Sequence, residues 1–449
     1  MKGLIETLRN IFKITELRNR ILYTLLLLLV YRLGSFIILP GINSAELAAQ
    51  FNKVQGSGIL GFLNTFVGGA FARGSIFALG IMPYISASII VQILGFALPE
   101  IQKLQKQGDS GVKKINQITR YLAVVITAFQ AAGYVVNLRT QYPTAILTSS
   151  SLFWITTVFV LTAGTMFLVW LGERITDNGI GNGVSLIIMI GIISELPMSI
   201  INEFRSNPVM IFFVEIISLA FVTMAVILMT QATRKIPINY ARRMMGNSKY
   251  FGGQTSLARD YIPLKLNASG VMPIIFAQSI MFIPATVSTY FSDSSWANPV
   301  NSWFGNTNGI IYNGLFALMI ILFTYFYTAI AVNPRDISEH LKRNGGFIPG
   351  VKPGDDTTSY IDDVMTKITL PGSIFLALVA IMPAIVGNLG VSSQFAQFFG
   401  GTSLLILIGV VLDTLQQIEQ YLLMRHYDGL TKSGSIKGKT PATSTIAQG

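Results

Sequence analysis

The chain has 449 residues, 51% of them hydrophobic and only 12% charged, with a formal net charge of +11 and no cysteine. A soluble domain carries about twice that share of charge, so this composition excludes an ordinary soluble protein and places the chain in a bilayer. No disulfide or Cys-ligated metal is available, and the two histidines, His340 and His426, stand apart in polar segments where an imidazole is ordinarily solvated, so no metal site is expected.

Residues 1–20 set Lys2, Arg9, Lys13, Arg18 and Arg20 beside Leu4, Leu8, Ile11 and Phe12 at helical spacing, the pattern of an amphipathic helix lying on a membrane surface. The apolar run 21–39 is too long for the core of a secretory signal and no small-residue cleavage site follows it, so it reads as the first span. Residues 40–55 form a polar outside loop. Residues 56–72 are apolar and uncharged but rich in glycine (Gly56, Gly58, Gly61, Gly68, Gly69), which makes a poor spanning helix. They read as a re-entrant segment covered by protein, with a surface loop holding a short helix as the alternative. Arg73 closes the segment, and an uncharged second span covers 75–98.

That span contains residues 80–89, GIMPYISASI, which return at 270–279 as GVMPIIFAQS with Gly, Met, Pro, Ile and Ala at the same offsets. Two copies at matching places in the two halves are the trace of a duplicated unit. Gly and Pro inside an apolar run read as a weakened helix, and paired interruptions of this kind point to a substrate path.

Lys103, Lys106, Lys113, Lys114 and Arg120 fill the next loop, and spans three and four follow at 121–138 and 153–171. The connection 172–183, GERITDNGIGNG, has glycines spaced two apart but no preceding strand, so it reads as a tight helix–helix turn rather than a nucleotide loop. Spans five and six cover 184–201 and 209–230. A polybasic loop, 231–268, then holds Arg234, Lys235, Arg242, Arg243, Lys249, Arg259 and Lys265 against Asp260. Span seven (270–290) carries the second motif copy, and span eight covers 310–332. The polar loop 333–368 contains GGFIPGVKPG at 345–354, where the density of Pro and Gly marks a structured turn. Span nine covers 368–385. Span ten starts near Thr402, turns amphipathic after Asp413 and ends near His426, before a short basic tail at 427–449.

Basic residues gather at the termini and in every second connection, whereas the remaining connections hold only Lys53, Arg73, Arg139 and Arg205. The positive-inside rule therefore puts both termini and the two large loops in the cytosol of a plasma membrane. Span two then runs inward and span seven outward. The expected fold is an all-α polytopic membrane protein whose ten helices form two pseudo-symmetric, inverted-repeat halves (21–201 and 209–426) around a central pore.

Ionisable groups within the spans are few. Arg32, Glu195 and Glu215 lie near span ends and only Asp413 sits deeper, so the relay an ion-coupled transporter needs is missing. The nearest approach to a phosphate loop, GSIKGKT at 434–440, is one residue short and follows no strand, so no ATP site or other cofactor is expected. The motif copies instead offer branched apolar chains at helical spacing, Ile81 and Ile85 in one and Ile275 in the other. Converging on a cleft they would form a hydrophobic constriction; otherwise they simply pack helices, and the spacing alone does not decide.

Residues 80–92 (GIMPYISASIIVQ), 172–185 (GERITDNGIGNGVS), 263–280 (PLKLNASGVMPIIFAQSI), 333–335 (NPR), 347–354 (FIPGVKPG) and 399–405 (FGGTSLL) carry a resemblance that runs in order over residues 17–438. Through them the chain resembles the SecY family, the central subunit of the bacterial protein-conducting channel. The resemblance implies a pore ring at Ile81, Ile85, Val184, Ile188, Ile275 and Ile406, and a plug over about 58–72 that includes Gly58, Gly61, Phe62, Gly68, Gly69 and Ala72. It implies a lateral gate between spans two and seven, with Pro83 and Ser88 on one side and Pro273 and Gln278 on the other. Arg242, Arg243, Lys249 and Lys352 would dock a ribosome, through its RNA, or a SecA-type ATPase motor. Where the family often has arginine this chain has Lys352 and Asn247, and a lysine keeps the charge without the bidentate fork. Further implied partners are SecE-type and SecG-type small membrane subunits, signal sequences, nascent polypeptides and the lipid bilayer. The implied activity is passive: unfolded chains pass outward and apolar segments leave sideways, with no covalent reaction. A small-solute transporter on the same repeat would need a charge-bearing site at mid-membrane. An insertase without a channel would need a polar groove open to the cytosol.

Overall fold

The structure, a computed structural model, describes residues 14–54, 59–105, 107–147, 151–240, 260–290, 303–304 and 309–433. Helices occupy all ten positions at which a span is expected: α1 (Thr15–Gly34), then, after the short α2 (Ser44–Val54) and α3 (Ile59–Phe66), α4 (Met82–Ala97). They continue through α5 (Pro99–Gln105), which bends 103° away from the span before it, to α6 (Asp109–Gln141), α7 (Ser151–Asn178), α8 (Gly183–Ser206) and α9 (Val209–Gln231). The second half adds α10 (Met272–Tyr290), α11 (Ile310–Ala331), the short α12 (Pro334–Arg343), α13 (Asp355–Asn388), the single turn α14 (Ser393–Ala396) and α15 (Gly401–Ser433). Among the described residues seven helices are long and apolar enough to cross a membrane, or eight if the bent α4–α5 pair counts as one span. The chain is a multi-pass helical membrane protein.

Four of these helices run well beyond their apolar stretches. α13 has 34 residues, about 50 Å of helix against a hydrocarbon core of about 30 Å. Its first turns carry Asp355 and Asp356 at the positive end of the helix dipole and extend into the stretch where a polar loop is expected from the sequence. In the same way α7 absorbs residues 172–178 of the expected connecting turn, which shrinks to residues 179–182. Hydropathy reports where a helix is greasy, not where its hydrogen bonding stops. The outside loop 40–55 likewise holds α2.

A sheet is the second departure from the all-α expectation. Strands β1 (Thr233–Tyr240), β2 (Asp260–Lys265) and β3 (Gly346–Phe347) form an antiparallel sheet in the order β2-β1-β3. It joins the two large loops into one body around Ile236, Ile238, Leu264, Leu341, Ile348 and Ile361. Alternation in β1 buries Ile236 and Ile238 and leaves Arg234, Lys235 and Pro237 outside, the period-2 signature of a half-covered strand.

Packing repeats between the halves. In the first, α4 packs on α6 and α6 on α7; in the second, α10 packs on α11 and α11 on α13. Between the halves α8 packs on α15, and α10 touches α4 and α6. Of the expected surface helix 1–20, residues 15–20 instead begin α1, and of the expected tail 427–449, residues 427–433 instead continue α15; residues 1–13, Gly58, Arg242, Arg243, Asn247, Lys249 and residues 434–449 lie outside the described residues.

Candidate functional site

The two motif copies have one backbone. Gly80 and Gly270 take φ of 58° and 62°, left-handed values that a side chain resists, and each is followed after one residue by the first residue of a helix. In α4 the N–H groups of Tyr84 and Ile85 donate to the Ile81 carbonyl at 3.1 and 3.2 Å; in α10 those of Ile274 and Ile275 donate to Val271 at 3.2 and 3.3 Å. Pro83 and Pro273 fall in the first turn, where the missing N–H costs no intrahelical bond. Gly and Pro therefore start these helices rather than weaken them midway, which corrects the reading of 75–98 as one continuous span. Residues 76–81 are turns.

From those starts the six positions of the implied ring converge. Ile81, Ile85, Ile188 and Ile406 are buried members of a single apolar cluster, and Val184 and Ile275 pack half-buried against it. They come from α4 and the residue before it, α8, α10 and α15, hence from both halves. Phe66, Val67 and Ala70 of the glycine-rich segment belong to the same cluster.

That segment is folded as α3 followed by turns through residue 74, with residues 65–72 buried and Gly61, Leu63 and Asn64 half-buried. The Asn64 side chain accepts from Ala72 N–H at 2.9 Å and its carbonyl accepts from Gly69 N–H at 2.8 Å, closing the turn upon itself. Thr65 Oγ1 donates to Gln397 Oε1 of the second half at 2.6 Å. Gly61, Gly68, Gly69 and Ala72 lie within the described fold; Phe62 stands in α3, with its side chain outside the described residues.

Of the four gate positions, Pro83 and Ser88 lie on α4 and Pro273 and Gln278 on α10. α10 touches α4, but Ser88 Oγ accepts from Gln92 Nε2 of its own helix at 3.4 Å, while Gln278 Nε2 reaches the Tyr312 hydroxyl on α11 at 3.4 Å. Lys352 is exposed at the tip of the 345–354 turn, where Thr357 Oγ1 donates to its carbonyl at 2.8 Å and Ser338 Oγ to that of Gly354 at 2.8 Å. Asp413, the deepest carboxylate in the sequence reading, is exposed. No group of three or more His, Cys, Asp or Glu suited to a metal occurs among the described residues.

The sequence reading passes over one buried polar knot. Glu203, 0% exposed, accepts from Asn207 Nδ2 at 2.7 Å, from Ser392 N–H at 3.3 Å and from the Ser392 hydroxyl. The same Asn207 amide donates to Glu215 Oε1 at 3.1 Å. The knot sits where residues 207–208 pass from α8 to α9 and ties the first half to the segment before α15. Its trace in the sequence is an i,i+4 Glu–Asn pair followed by Pro208, visible but outside the apolar run that defines span five.

The family described as SecY matches residues 75–415. The protein translocase subunits SecY of Thermus thermophilus and Thermotoga maritima are 42% and 38% identical to this chain, covering 95% and 97% of it and 98% and 99% of their own lengths. That of Chlamydia muridarum is 39% identical over 460 residues. Among solved structures the fold is similar to one described as the structure of a protein conducting channel (TM-score 0.59, 15% identity, 93% of this chain and 94% of that one). It is similar also to Sec61 in a canine ribosome–channel complex (TM-score 0.58, 15% identity, 93% and 94%). At such identity these two likenesses speak for the fold alone.

Proposed function

This chain belongs to the SecY family, and from that premise we propose that it is the pore-forming subunit of a protein translocase, a passive channel through which unfolded secretory chains leave the cytosol. The observation that carries the reading is the convergence of Ile81, Ile85, Val184, Ile188, Ile275 and Ile406 from four helices of both halves into one apolar cluster. A collar of branched chains excludes water, so it resists ions yet yields to an extended polypeptide that it does not bind. The glycine-rich segment, buried over residues 65–72, supplies Phe66, Val67 and Ala70 to the same cluster, which supports reading it as the plug.

The lateral gate is the α4–α10 contact, where the two motif helices meet. Apolar segments of a passing chain leave there for lipid. The sheet-bound cytosolic loops dock a SecA-type motor or a ribosome, with exposed Lys352 one contact and Arg242, Arg243 and Lys249 others. SecE-type and SecG-type subunits cover part of the lipid-facing surface, most of which is apolar; α9 exposes Met210, Ile217 and Phe221. Both termini face the cytosol of the bacterial inner membrane.

A photocrosslinking probe at Ile85, with a secretory precursor arrested halfway across membranes containing the channel and its motor, tests the reading. Crosslinks that require arrest, and that a probe at exposed Phe129 on α6 does not give, are the expected result. If Ile85 never meets the precursor, the pore is elsewhere and the reading is wrong.

A further inference from the structure

Two arginines close on one carbonyl beside the buried segment. Arg32, in the last turn of α1, donates from Nη1 to the Gly68 oxygen at 3.1 Å, and Arg73 donates from Nη2 to the same oxygen. Both guanidiniums stack on the Phe36 ring, at 4.9 and 4.5 Å from its centre. The Tyr31 hydroxyl adds a longer bond, 3.4 Å, to the adjacent Val67 carbonyl. The space at Gly68 is closed by Ser194 Oγ and the Gly191 carbonyl of α8, and that at Gly69 by Glu195 Oε1 and Arg73 Nη2. Arg73 Nε is buried without a hydrogen-bond partner among the described residues.

Like charges held this close in a partly desolvated place need acceptors, and one carboxylate, Glu195, faces the pair. The Gly68 carbonyl supplies the acceptor they share. Lifting the segment away would leave both guanidiniums short of a partner, so the pair opposes that movement.

We propose that Arg32 and Arg73 form a guanidinium latch that holds the plug at the Gly68 carbonyl in the resting channel, with Glu195 as counter-charge. The proposal rests on reading residues 59–72 as the plug. Arg32 and Glu195 belong to the fixed wall, Arg73 to the root of the moving segment. Arg32 is thus a positioning residue: it sets how often the plug leaves without instruction and takes no part in moving the chain.

The natural chain has no cysteine, so a single Thr65→Cys thiol can be read without background. Thr65 is buried, and a water-soluble thiol reagent reaches it only when the plug is out, at a rate proportional to the undocked population. In resting inverted membrane vesicles containing the complete translocase, Arg32→Gln is expected to raise that rate about tenfold, the factor one charge-assisted hydrogen bond supplies. Arg32→Lys, which keeps the charge and loses the stacked fork, is expected to fall between. A thiol at Thr157→Cys, buried in α7, reports any general loosening and should label at its parent rate. An unchanged Thr65→Cys rate in Arg32→Gln overturns the latch, as does an equal rise at both thiols. A Thr65→Cys/Gln397→Cys disulfide separates the latch from the reading beneath it. If the oxidised tether blocks precursor passage, the segment is the plug and the labelling rates decide the latch; if the tether leaves passage intact, the plug reading fails and the latch falls with it.

Discussion

The two motif copies share a backbone and five residues, but not their surroundings. A side chain at Gly80 would stand 2.9 Å from Val67 Cγ2 of the glycine-rich segment, whereas one at Gly270 would meet nothing within 4 Å. Ile85 is buried and its counterpart Ile275 is half exposed. Ser88 is held within its own helix, while Gln278, at the same offset, crosses to Tyr312. Val67 of the glycine-rich segment packs against the glycine of the first copy, while the space at the glycine of the second is open. Identical local geometry therefore predicts unequal consequences of the same substitution.

Gly80→Ala combines a left-handed backbone with a clash against Val67 and is expected to destabilise by about 3 kcal/mol, seen as a clear drop in the thermal unfolding midpoint in detergent. Gly270→Ala meets the backbone term alone, about 1–2 kcal/mol, and equal shifts for the two would erase the distinction drawn here. A smaller loss, about 1 kcal/mol, is expected for Gln278→Leu, which leaves the buried Tyr312 hydroxyl without its amide partner. Ser88→Ala should change stability by less than about 0.5 kcal/mol, since its bond is long and local; a larger effect would mean that the first copy also crosses to a neighbour.

Much of the fold was legible because a bilayer simplifies the code. Apolar runs located the spans, and the matched helix starts after Gly80 and Gly270 marked the repeat, while the orientation read from Lys and Arg is an expectation of the positive-inside rule. The ring positions were less legible: the spacing of Ile81 and Ile85 fits packing as well as a constriction, and only the resemblance named Val184 and Ile406. What periodicity missed was non-local. Strand β3 has two residues and exists only because β1 has an edge to offer. Arg73, an ordinary outside charge on the page, serves as a partner of Arg32, and Glu203 finds Ser392 far along the chain. Pairings of this kind leave no period in a single sequence.

Strand β2 passes into α10 through residues 266–271 alone. The root of its hairpin is fastened where Leu266 N–H donates to the Ala232 carbonyl at 2.9 Å, and the Leu266 carbonyl presses on Gly372 of α13. Six residues, fastened at their start by these two contacts, are all that separates the sheet from the first turn of α10, where Ile274 and Ile275 sit, so a displacement of the sheet is expected to bear directly on that turn.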